Sequence, residues 1–138
     1  MKRYVLGCIF FAMFMVGCTD SENKPVDQPT ALNDAVQALK REGLKLASID
    51  NLYSESNSRQ ATFEVGTSKD IIAVYAFDSQ GEQEQFGNRI YSELSKAYGS
   101  ELLGISQGNI RIFLIKNNPQ EFDIEYKLND ALGRLEQP

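Results

Sequence analysis

Two hydrophobic rhythms alternate along most of the chain. Leu32, Ala35, Val36 and Leu39 recur at helical spacing behind Thr30, a candidate N-cap that follows Pro29. Lys40 and Arg41 sit where cations suit the helix dipole, and Gly43 supplies the stop. Leu44 to Ile49 reads as a short strand. Asp50 to Gln60 is polar and rich in Ser and Asn, which predicts a long loop open to motion. Ala61 to Val65 then reads as an edge strand and Gly66 to Asp70 as a turn. Ile71 to Phe77 (IIAVYAF) is apolar on both faces, as in a strand at the centre of a sheet.

Ser79 and Glu82 form an S-x-x-E capping box, after which Phe86, Ile90, Leu94 and Tyr98 repeat every four residues up to Gly99. Leu102 to Ser106 and Ile110 to Lys116 predict a hairpin around Gln107-Gly108-Asn109. Asn118-Pro119 precedes a last helix, approximately Phe122 to Leu135, with Ile124, Leu128, Ala131, Leu132 and Leu135 as its apolar stripe. The order is helix, three strands, helix, two strands, helix. Short connections make this an α+β fold: an antiparallel sheet of about four to five strands with helices packed mainly on one face. Without an internal repeat, residues 31–138 read as a single α+β domain.

The N-terminal residues follow neither rhythm. Lys2 and Arg3 precede an apolar run from Tyr4 to Gly17. This run has the length of a signal-peptide core and falls short of the roughly 20 residues that a membrane span needs. It ends in Met15-Val16-Gly17-Cys18, which resembles the lipobox of bacterial lipoproteins, with Met15 where Leu is usual. The resemblance implies that residues 1–17 are a cleaved signal peptide and that the Cys18 thiol carries a diacylglyceryl group. It also implies a cell-membrane or envelope location facing outside the cytoplasm. Two acyl chains anchor stably where one binds only marginally. Residues 18–30 are polar, with two prolines and no aromatic residue, and read as a flexible tether. The layout beyond the tether is similar to that of small single-domain lipoproteins of Bacillota. That likeness is one of general pattern and transfers no functional residues.

Charge and composition narrow the chemistry. The formal charge is −5, and losing Lys2 and Arg3 with the leader leaves −7. A phosphate backbone would be repelled, so nucleic acid is not an expected partner. Cys8 leaves with the leader and Cys18 is taken by lipid, so no internal disulfide is expected. The chain has no His, which removes Ser-His-Asp and Cys-His catalysis and the commonest metal ligand. Glu82 and Glu84, two apart, do not face each other on a helix. Glu121, Asp123 and Glu125 alternate without the spacing of a calcium loop and read as negative charge at a helix start. Asp78 to Gly81 joins a strand to a helix, a place that can take anions, but lacks the Gly-rich phosphate pattern and has acidic neighbours. Neither catalytic residues nor a cofactor nor a metal site is expected. Tyr75 belongs to the sheet; Tyr53, alone in the polar loop, is the candidate ligand contact. The function expected is a non-catalytic binding or accessory module whose partner is an envelope protein or wall polymer, with inhibition of a basic, cell-damaging enzyme as a sub-case. The competing reading is a carboxylate-dependent envelope hydrolase, which needs two acids about 5 to 10 Å apart across a cleft.

Overall fold

The structure is a computed structural model and describes residues 27–66 and 68–135. The leader, Cys18 and the tether up to residue 26 lie outside the described residues.

Strand β3 (Ile71–Ala76) is the axis of the molecule. Its alternation sends Ile72, Val74 and Ala76 to one face, and Ala73 and Tyr75 to the other, where Phe77 joins them. All six are fully buried, which confirms the central position read from IIAVYAF. Strand β2 (Arg59–Val65) pairs with one side of β3 and β5 (Ile110–Ile115) with the other. Strands β1 (Leu46–Ile49) and β4 (Leu102–Gln107) form the edges, giving the order β1-β2-β3-β5-β4 with every neighbour antiparallel. The β4–β5 hairpin turns at Gly108, whose φ of +54° is the left-handed conformation glycine adopts without strain.

Helices α1 (Gln28–Arg41) and α3 (Asp123–Leu135) pack on the face of Ile72, Val74, Ile112 and Leu114, making an aliphatic core. Helix α2 (Gln80–Tyr98) covers the other face with an aromatic core around Tyr75, Phe77 and Phe113. The α+β class and the antiparallel sheet are as expected, and two of the three helices share a face. The third changes face because α2 carries the chain from β3 over β5 to β4, which runs parallel to β3.

Three local expectations change. Helix α1 starts at Gln28 rather than behind Thr30, so the last three residues of the expected tether are helical. Thr30 instead donates its hydroxyl hydrogen to Asp27 Oδ2 at 2.6 Å, with Pro29 in the first turn, where its missing N–H is not needed. Strand β2 is internal rather than an edge, and it begins at Arg59. The polar stretch before β2 is folded onto the sheet, as described below. The capping box forms: Ser79 Oγ accepts the Glu82 N–H at 3.1 Å, while the Glu82 carboxylate accepts the Asp78 N–H at 3.3 Å.

Candidate functional site

On the α2 side the sheet is covered unevenly. Helix α2 lies over β5 and the start of β4, and residues 50–58 fill the space over β2 and β3. Thr62 Oγ1 donates to Asn51 Oδ1 at 3.1 Å, the Glu55 N–H donates to Gln60 Oε1 at 3.1 Å, and the Tyr75 hydroxyl donates to the Tyr53 carbonyl at 2.7 Å. Arg89 of α2 pairs with the buried Glu55 carboxylate at 3.6 Å and stacks on Phe86. Polar residues of β2 that look solvent-facing in the sequence are thus the ones the loop uses.

Tyr53 belongs to this covering. It is half-buried, packs with Leu52 against the aromatic core, and gives its carbonyl to Tyr75. Burial, with Tyr53 and Glu55 beside it, pushes the Tyr75 phenol far above its usual range. The structure therefore places Tyr53 in a packed strap.

Toward the hairpin end of β4 this face is open. Leu102, Gly104 and Ser106 of β4 share the α2 face; Leu102 is buried, but Gly104 and Ser106 are exposed. Across the hairpin, Arg111 stands opposite Ser106 and points to the same face. Its guanidinium lies 5.4 Å from the Phe113 ring, in a trough between α2 and β4 made by two glycines. A Cβ at Gly87 would sit 3.5 Å from Arg111 Cγ, and one at Gly104 would sit 3.2 Å from Nη2. The side chain thus bends across β4 because Gly104 leaves it room.

Among the described residues no carboxylate or hydrogen-bond acceptor pairs with Arg111. Its Nε is buried without a partner, as is the neighbouring Nε2 of Gln83, a side chain only 2% exposed. Burial lowers the guanidinium from its usual value, with Tyr91 acting the other way, yet an arginine remains cationic at physiological pH. Tyr91, 40% exposed, flanks the trough with its ring 6.4 Å from Phe113. A half-buried cation with no counter-charge among the described residues, beside the exposed Gly104 and Ser106, can hold an anionic group.

Three acids elsewhere are tied into the fold. Asp70, 1% exposed, accepts the Asn117 N–H at 2.7 Å and ties the 66–70 turn to the segment after β5. Asp123 pairs with Lys127, and Glu125 with the buried Lys116, at the start of α3. The described residues contain no group of three or more potential metal ligands and no helix long and apolar enough to cross a membrane. Cys18 lies outside the described residues. No protein-family model matches the chain, and neither curated proteins nor solved structures give a match.

Sequence reasoning passed over Arg111, because an arginine in a hairpin strand reads as a solvated charge. The available signal was the pair of glycines, Gly87 inside a helix and Gly104 inside a strand, where each carries a propensity cost of about 0.5 to 1 kcal/mol.

Proposed function

We infer that the chain is a membrane-anchored envelope lipoprotein acting as a non-catalytic binding or accessory module. The anchor rests on the sequence: a basic start, an apolar run, and Gly17-Cys18 in that order. The binding half rests on one observation, the unpaired Arg111 guanidinium in the trough beside β4. Leaving a half-buried cation without a counter-charge is unfavourable, and a bound anionic group would offset that. The partner would be an envelope protein or wall polymer presenting such a group.

Intact mass of the membrane-extracted protein, beside a Cys18→Ala variant, tests the anchor. A mass for residues 18–138 plus a diacylglyceryl group, lost in the variant along with membrane association, is the expected result. An unmodified full-length mass in the soluble fraction would overturn it.

A further inference from the structure

Resting on the binding-module reading, we propose that β4 accepts an extended acidic peptide as a sixth strand, with an Asp or Glu side chain of that peptide held by Arg111. Among the described residues β4 pairs with one strand, β5, and the register turns the backbone groups of Gly104 and Ser106 away from it, toward the place an added strand would take. Its pairing with β5 is regular over all six residues, without a bulge. Its sequence, Leu102 to Gln107 (LLGISQ), contains no charge and no proline, the usual devices that block strand addition. The opposite edge, β1, is only four residues long.

Arg111 supplies the side-chain half of the recognition. Strand partners lie about 4.8 Å apart. A residue opposite Gly104 on an added strand, facing α2, would bring its carboxylate to the guanidinium that leans across Gly104. Arg–carboxylate pairs are commonly bidentate and charge-assisted. The wall is the α2 stripe of Glu84, Asn88, Tyr91 and Ser95, which share one helix face. Its one charge, Glu84, already accepts from Gln80 Nε2 at 3.2 Å. The same geometry disfavours a second copy of this chain: antiparallel pairing of β4 with itself would bring two Arg111 side chains to one shared edge. The acidic chain as a whole repels an acidic peptide at long range, so recognition is by contact, not by steering.

The test uses the full chain extracted in detergent and a fluorescent heptapeptide of alternating Thr and Val with a central Glu, read by anisotropy. Three companions complete the set: the Gln analogue, an analogue N-methylated along one edge, and inorganic phosphate as competitor. The Glu peptide should bind at least tenfold tighter than the Gln peptide, and N-methylation should abolish binding. Arg111→Gln should erase the Glu–Gln difference while leaving the Gln peptide unchanged; Lys96→Gln, on the exposed side of α2, should leave all affinities as they were. Gly104→Ala keeps the charge but crowds Nη2, and should cut the difference several-fold, so the idea stays testable if Arg111→Gln misfolds. Equal affinity of the Glu and Gln peptides would overturn it. So would a difference that survives Arg111→Gln, indifference to N-methylation, or no binding at about 1 mM peptide. Phosphate displacing the Glu peptide alone supports the charge contact; phosphate binding without any peptide binding, or concentration-dependent dimers through β4, overturns strand addition. These results are independent of the mass measurement: an unlipidated chain that still discriminates Glu from Gln would lose its anchor and keep its site.

Discussion

Tyr75 shows how much one side chain can join. Its ring is fully buried among Phe77 and Phe113, and its hydroxyl leaves the core only to meet the Tyr53 carbonyl at 2.7 Å. Tyr75→Phe keeps the ring and removes that bond, leaving a carbonyl short of a partner. The expected cost is about 1 kcal/mol, read as a lower urea midpoint. The phenol also fixes a pH dependence. Its pKa in the folded chain lies above the value of about 10 that it has when unfolded. Stability from the neutral phenol is therefore complete below about pH 10 and falls as pH rises from there toward the folded value. Urea midpoints taken between about pH 8 and pH 11 should fall less in Tyr75→Phe than in the parent. Parallel curves for the two proteins would show that another group governs alkaline stability.

At the scale of elements, local rules served well where an element's own residues decide its fate. The β3 run was read as central because both faces are apolar, and the Ser79 cap was visible because its partner is three residues away. What failed involved partners far apart in sequence. Ala61 to Val65 reads as an edge because Thr62 and Glu64 are polar, yet Thr62 and the preceding Gln60 bond to the loop that folds back over them. That loop looked free because Ser and Asn suit solvent as well as they suit hydrogen bonds to a sheet. The Arg111 trough needs α2, β4 and β5 together, so no single window of sequence contains it. The loop supplies a prediction at this scale. Arg89 is the cation that faces the buried Glu55 carboxylate. Arg89→Ala should loosen residues 52–58 without unfolding the sheet, since Arg89 itself is mostly exposed. Amide exchange at Glu55 and Ser58, whose N–H groups donate to Gln60 Oε1 and to the Glu55 carbonyl, should speed up about tenfold, equivalent to about 1.4 kcal/mol. Exchange at Ala73 in β3 should stay as slow as before. Unchanged exchange in the loop would mean that its bonds to Thr62, Gln60 and Tyr75 hold it without the Arg89 pair.

The whole molecule has two distinguishable ends. Asp27 at the start of α1, Asn109 in the hairpin and Leu135 at the end of α3 line one hollow of about 230 Å³. Leu44, Gly66 and Asp123 line another of about 190 Å³. Helix α1, fourteen residues long, leads from the first toward the second and spans about 21 Å. If Cys18 is lipidated, nine residues, and so ten Cα–Cα steps, separate the anchor from Gln28. Ten steps reach about 35 Å at full stretch, and a linker with the freedom that the polar composition of this segment predicts would average about 18 Å between its ends. That average is close to the length of α1, so the Asn109 end should spend more time near the bilayer than the Gly66 end does. The net charge of −7 that cleavage before Cys18 would leave disfavours contact with anionic lipid, which leaves the tether to set the bias. Lipidated protein in nanodiscs carrying a spin-labelled lipid would reveal it: amides of Gly108 and Asn109 should lose more intensity than those of Gly66 and Ser68. The gradient should persist when anionic lipid is added. Equal attenuation at both ends would mean that the domain tumbles without regard to its tether, and a reversed gradient would mean that a surface other than the α1 start meets the membrane.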